Sequence, residues 1–411
     1  MDDAAASPRA VEPGGSGAGG RRVVPLLAAT GISVTGDGAF LAAAPLLAAA
    51  LTSNAVAVSA VTAGFYLPWL VFGLPAGALV DRWPRRTVMV AADLVRAAVL
   101  AGLVALIVTG RASVPGLVTA VLLVGVAQCF FDAAAQAVIP AVVGRRKEDL
   151  ARVNGRFWAL DTFGRAFAGP PLGSVTFAVG RAWPFAADAV SFLASAVLVR
   201  RLPAVPAPAG VVERIGTAVR AGLRHLLSTR DLRVLAVSMG VYNFAFNIAM
   251  APFVLYARHV LGVPAAAYGV LLAVPAVGGV AAGWRAERLT RRLSYRQTMT
   301  VLHVVQAATW AGIAVSGTTA VTAGLLALLG GASAVSSVTV GSARQALAPD
   351  ALLGRVVSAF RLFGIGMAGL GALLGGVIAA GFGLTAPLVV AAVIPVAGAA
   401  FTWPYRRTPP P

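Results

Sequence analysis

Along most of this chain apolar residues run on for twenty or more positions, and the informative feature is where polar residues break them. Three stretches, 38–80, 297–343 and 362–405, contain no Asp, Glu, Lys or Arg. Each is longer than the ~20 residues that one membrane helix needs and suits two helices joined by a turn. Turn residues stand where the split is required: Thr52-Ser53-Asn54, Ser316-Gly317-Thr318-Thr319 and Gly381-Phe382-Gly383. Carried along the chain, this pattern predicts spans near 24–50, 55–79, 87–108, 116–142, 156–179 and 182–200, then 233–257, 265–284, 298–316, 319–345, 355–380 and 384–404. The predicted fold class is all-α, a polytopic membrane protein with twelve transmembrane helices in two pseudo-symmetric six-helix bundles. Residues 1–22 read as a disordered tail, 23–200 as the first bundle, 201–232 as a linker, 233–405 as the second bundle and 406–411 as a second tail.

The polar interruptions repeat. Gly77-Ala-Leu-Val-Asp81-Arg82-Trp-Pro-Arg85-Arg86 packs an acid and three arginines into ten residues, and Gly283-Trp-Arg-Ala-Glu287-Arg288-Leu-Thr-Arg291-Arg292 restates the spacing 206 residues later. An echo half a chain away implies internal duplication. The first copy resembles the signature loop between spans two and three of the major facilitator superfamily, secondary transporters with two six-helix halves. The second is similar to that family's weaker copy between spans eight and nine. Pro84 stands where many members carry Gly. The resemblance covers roughly residues 23–405. It implies a gating role for the loops, with Asp81 and Arg82 latching the closed inner side and Arg85 and Arg86 holding the inner surface and its acidic lipids.

Composition strengthens the membrane reading, with 58% hydrophobic and 12% charged residues. The net charge of +18 changes the picture only through its distribution. With the N-terminal tail inside, 28 of the 33 basic residues fall on the inner side, which the positive-inside rule requires, and both termini are then cytoplasmic. So dispersed a charge does not make a nucleic-acid surface. In the linker, Pro203, Pro206 and Pro208 precede Ile215, Val219, Leu223 and Leu226 at helical spacing, with Arg214, Arg220 and Arg224 between them. That predicts an amphipathic helix on the inner membrane face.

Acids inside spans are costly, on the order of 3 kcal/mol each on insertion scales, and so mark candidate chemistry. Five occur, all in the first half: Asp37, Asp93, Asp132, Asp161 and Asp188. Asp37 lies mid-span in Gly36-Asp37-Gly38, where flanking glycines leave room for water or ligand, and is the leading proton carrier. The residue 206 positions later is the uncharged Asn243. Gln128, Asp132 and Gln136 form a polar stripe on the fourth span. Asp161 and Arg165, four apart near the start of the fifth span, read as a local pair, with Arg165 alternatively replacing the fourth-span arginine common in proton-coupled members and missing here. Asp93 and Arg96 read as a pair near the inner surface, and Asp188 as an interfacial acid. Gly164-x4-Gly169-Pro170-x-x-Gly173 resembles the motif that marks antiporters in this superfamily, and Gly366, Gly369, Gly371, Gly375 and Gly376 echo it loosely. Phe65, Tyr66, Trp69, Asn243 and Asn247 are further cavity candidates, among in-span aromatics that include Phe40, Phe246 and Trp310.

The resemblance and these residues together point to a proton-coupled exporter of small amphipathic or hydrophobic compounds, such as drugs or natural products, working by alternating access. An importer or symporter is the alternative, and a membrane sensor or membrane enzyme the remoter ones. His225, His259 and His303 are scattered, so no metal or nucleophile constellation emerges. The expected partners are a small-molecule substrate and the lipid bilayer, the expected energy source is the proton gradient with no cofactor, and a monomer is expected.

Overall fold

A computed structural model describes residues 16–80, 82–143, 147–202, 215–285, 288 and 293–403. The first half is built from α1 (Ser16–Leu51), α2 (Ala55–Gly64, Leu67–Phe72 and Pro75–Val80), α3 (Arg85–Val108), α4 (Val114–Val143), α5 (Lys147–Asp161, Thr162–Ala168 and Gly169–Val179) and α6 (Trp183–Arg200). After α7 (Ile215–Ser228) the second half follows as α8 (Arg230–Met250 with Phe253–His259), α9 (Ala265–Gly283), α10 (Tyr295–Ser316), α11 (Thr319–Leu347), α12 (Asp350–Phe382) and α13 (Ala386–Thr402). Ten of these helices are long and apolar enough to cross a membrane. The interrupted α5 and the shorter apolar α13 complete two sets of six. Polar turns act where expected: Asn54 accepts hydrogen bonds from the Val56 and Ala57 amides to cap α2, and Gly317 and Gly383 take positive φ after α10 and α12.

Three boundaries move. α1 starts at Ser16, so the last part of the stretch read as a tail is helical; residues 1–15 and 404–411 lie outside the described residues. α5 starts at Lys147 and α12 at Asp350, well before the expected 156 and 355, because polar turns at the helix bases stay helical beyond the apolar span. α7 forms as the periodicity predicts. It does more than lie on lipid: Gly222 abuts the Arg355 main chain, and Leu226 is buried in a cluster with Leu232, Val356 and Phe360. Leu223 stays exposed, while the side chains of Arg214, Ile215, Val219 and Arg220 and the three linker prolines lie outside the described set.

Among the described residues the halves pack most closely at the end away from the termini. A single hydrophobic cluster at the end away from the termini takes Leu47, Val58 and Phe185 from the first half and Phe253, Trp310 and Leu388 from the second. Toward the termini each half keeps its own cluster, one around Met89 and Phe131, the other around Met299 and Phe360. The joined end is sealed by close backbone approach. Gly269 of α9 sits against Pro170 of α5, Gly376 of α12 against Ser59 of α2, and the Ser174 hydroxyl donates to the Ala266 carbonyl at 2.9 Å. At the other end Gly77 and Gly283 face open space. The described residues thus seal the molecule at the end away from its termini.

Candidate functional site

Small residues set the geometry. α1 and α5 touch backbone to backbone along Gly38, Gly164, Gly169 and Gly173: Gly38 lies on the Gly164 and Arg165 main chain, and Gly173 lies on Ala39. A side chain at any of them would overlap main chain that cannot retreat. Pro170 has no amide hydrogen, so the regular bond back to Ala166 is missing there. The preceding turn is a π-helix, Thr162–Ala168, in which the Gly169 amide donates five residues back to Gly164 O. α12 repeats the seam on α8, with Gly371 against Phe244 and Gly375 against Ile248.

The π turn presents Arg165 to two acids. Its Nη2 donates to Asp37 Oδ2 at 3.0 Å and its Nε to Asp161 Oδ1 at 3.3 Å. The expected local pair of Asp161 and Arg165 is therefore one arm of a three-residue bridge to α1. It lies about four turns into α5 and not at its start, since that helix begins earlier.

Behind this bridge is a second ionic group. Arg96 and Asp93 are both fully buried and bonded, and Arg96 also donates to Gln128 Oε1. The guanidinium lies between the Phe131 and Phe192 rings, 4.5 and 4.1 Å from their centroids. This corrects the expectation of a pair near the inner surface. α3 begins at Arg85, so residues 93 and 96 are two to three turns inside the bundle. Gln128 passes the network on, donating to Asp132 Oδ1 at 2.9 Å. Gln136 is exposed and leaves the stripe, because each fourth residue of a helix advances about 40° round its axis. Asp188 is not interfacial either. It is fully buried directly against Gly36 and accepts from the Ser191 hydroxyl at 3.0 Å. The lack of a side chain at Gly36 makes that space, which sequence alone did not reveal.

Between the halves lies a cavity of about 480 Å³. Asp37, Arg165, Gln128, Phe65, Tyr66 and Trp69 line it from the first half, and Phe246, Asn247 and Arg361 from the second. An adjoining cavity of about 220 Å³ takes in Asn243, Tyr242 and Ser333. The Asn247 carboxamide donates to the Asn243 carbonyl at 2.9 Å, so the two cavity candidates lie on one face of α8. Asp132 and Asp161 sit behind the wall, each one bond from a lining residue. Sequence reasoning missed Arg361. It falls within the predicted span 355–380 yet counts among the inner-side basic residues; it lies three turns into α12, and its guanidinium stacks 4.2 Å over the Trp69 ring of the other half. An arginine close to an uninterrupted apolar run was the available signal.

The signature loop divides. Asp81, Glu287, Arg291 and Arg292 lie outside the described residues, and Arg82 and Arg288 are exposed. Arg85 donates to Ala137 O at 2.8 Å and Arg86 to Leu202 O at 3.1 Å. These two arginines thus engage carbonyls near the ends of α4 and α6 within their own half, the favourable place for a cation on a helix.

The family model for transmembrane secretion effectors matches residues 24–408. Over 223 residues the chain is 31% identical to the multidrug efflux pump Tap of Mycobacterium tuberculosis, covering 52% of each protein. Over 115 residues it is 37% identical to an uncharacterized MFS-type transporter of the same organism, covering 27% of this chain and 26% of that one. The chain thus aligns with about half, or less, of the length of these curated relatives. Among solved structures it is similar to the nucleoside transporter NupG (TM-score 0.77, 12% identity, 94% of this chain and 100% of that one). It is also similar to a bacterial homologue of the human lysosomal transporter Spinster in an inward-facing, occupied conformation (0.76, 14%, 95% and 97%). A bacterial homologue of ferroportin in an inward-facing state gives 0.74 at 16% identity, over 94% and 99%. At such identities the likeness is one of fold.

Proposed function

This chain belongs to the major facilitator superfamily, and from that premise we propose that it exports small amphipathic compounds across the cell membrane in exchange for protons. The observation that carries the reading is the Asp37–Arg165–Asp161 bridge on the wall of a cavity shared by both halves. Placing an ion pair on a seam where two helices touch backbone to backbone couples charge to helix movement. A proton on Asp37 removes its charge, weakens its hold on Arg165 and alters the contact of α1 with α5. The ligand site is in reach of the same change, since Asp37 and Arg165 both line it. With both termini cytoplasmic, as the distribution of basic residues indicates, the sealed end is the outer one and must part for release. The partial identity to a multidrug efflux pump supports export over import.

The test is transport by the purified full chain in proteoliposomes with an imposed pH difference. A panel of amphipathic fluorescent compounds should move with the pH gradient in the native protein. Asp37→Asn should retain its folded elution profile while losing about tenfold or more of gradient-driven transport. Coupling unchanged in that variant would overturn the assignment of Asp37 as proton carrier, and no pH-driven movement by the native protein would overturn proton exchange itself.

A further inference from the structure

We infer that the central cavity takes an amphipathic compound bearing an anionic group, a carboxylate, sulfonate or phosphate, and that Arg361 binds that group. The inference rests on the export reading for its place in a transport cycle and names the substrate class.

The argument begins with which charges at the cavity are already satisfied. Asp37 is tied to Arg165, whose remaining pairing arm holds Asp161. Behind them Asp93 is tied to Arg96. The carboxylate that a cationic compound would seek is thus engaged. Arg361 is different. It lines the cavity, its side chain is exposed there, and among the described residues no carboxylate lies within ion-pair distance of it. The Trp69 ring covers one face of the guanidinium at 4.2 Å. Stacking holds the fork flat and leaves its N–H edge for a planar or tetrahedral anion, the geometry in which arginine binds such groups best. A cation in an apolar enclosure without an acid beside it attracts a counter-charge, and here that role falls to the ligand. The rest of the wall suits an apolar or aromatic body, with Phe40, Phe65 and Phe246 beside the stacked pair.

A separate observation extends the same sign toward the sealed end. There a cavity of about 320 Å³ gathers Arg181 from the first half with Arg258 and His259 from the second, and no acid lines it. A compound leaving by that route passes from one guanidinium without an acid partner among the described residues toward two more guanidinium groups. An anion moving outward also travels with an inside-negative membrane potential, a gain of roughly 2.3 kcal/mol per charge per 100 mV.

The experiment compares two probes with one aromatic body, 1-naphthylacetate and N,N,N-trimethyl-1-naphthylmethylammonium, titrated against the full chain in phosphatidylcholine nanodiscs. The native protein should bind the anion about tenfold tighter than the cation. Arg361→Gln should abolish that preference, and Arg361→Lys should keep most of it, which separates charge from packing. All three proteins should elute alike, because the Arg361 side chain is exposed. Equal binding of both probes, tighter binding of the cation, or an undiminished preference in Arg361→Gln would overturn the inference. An acidic lipid head group has the same chemistry. Displacement of naphthylacetate by added phosphatidylglycerol would identify lipid as an occupant of the anion site, and its failure to compete would identify a soluble one; both uphold the site. Transport separates the two readings. Gradient-driven movement of the cationic probe alone overturns the anion assignment and leaves export standing, whereas anion binding without movement of either probe overturns export and leaves the site.

Discussion

The third span of each half does the same architectural work with opposite chemistry. In α3 the buried polar groups are charged, Asp93 and Arg96, sandwiched by aromatic rings. In α10 they are neutral: His303 shares a hydrogen bond with Ser238 at 2.8 Å, Gln306 donates to the Tyr242 carbonyl at 2.9 Å, and Thr300 meets Thr402 at 2.8 Å. The contrast continues through the bundles, for all five in-span acids are in the first half. The two halves share one arrangement of helices, and the in-span acids are confined to one of them. Under the proposed proton exchange, the in-span carboxylates that could carry a proton all stand in that half.

The largest way to break this contrast is to leave a buried charge alone. Arg96→Met strands Asp93, and loss of one partner of a buried pair costs about 3–5 kcal/mol. Thermal unfolding in detergent should show a large drop for Arg96→Met, recovered in good part by the double change Asp93→Leu with Arg96→Met. Gln306→Leu in the second half should cost only about 1 kcal/mol, the worth of a neutral hydrogen bond. Equal losses in the two halves would erase the distinction.

Next in size is the seam between helices. Gly173→Val drives a side chain into the Ala39 main chain, and Gly375→Val does the same at Ile248. Each should cost about 1–3 kcal/mol by overpacking, measured as above. Transport should separate them, because only the α1–α5 seam carries the ionic bridge. Smaller again, Asn243→Asp introduces an acid at the second-half counterpart of Asp37, beside the adjoining cavity. It should weaken binding of an anionic probe by about threefold through like-charge repulsion, read in the same nanodisc titration. The least effect is expected at the caps: Asn54→Ala should lose ~1 kcal/mol, while Thr318→Ala, whose side chain makes no cap bond, should be nearly silent.

Much of this was legible beforehand, for a physical reason. Membrane helices must satisfy their backbones internally and be apolar for a fixed length, so residues 38–80 or 362–405 announce their helices plainly. That α5 makes a close contact is legible in Gly164, Gly169, Pro170 and Gly173, since small residues are what close contact needs, whereas α1 as its partner is not. Side-chain partnerships across helices were harder. Arg165 reaching Asp37, Arg96 finding Phe131 and Phe192, and Asp188 filling the space beside Gly36 all depend on rotation and depth, which a linear pattern does not carry. Arg361 was misplaced for a related reason: loop-counting by charge assigns each arginine to water, whereas a cavity admits water, and so arginine, deep into the bundle.

The π turn at Thr162–Ala168 makes the length of that window part of the site. A π turn holds one residue more than an α turn, so one residue fewer would restore ordinary α-helical winding with the flanking segments still in register, and only side chains inside the window would turn, by up to about 100°. Arg165, inside the window, would then lose its present bearing on Asp37 and Asp161 while Gly169 and Gly173 stayed against α1. Those seven positions should tolerate changes of kind more readily than changes of number, so single deletions within them should be far more damaging than conservative replacements.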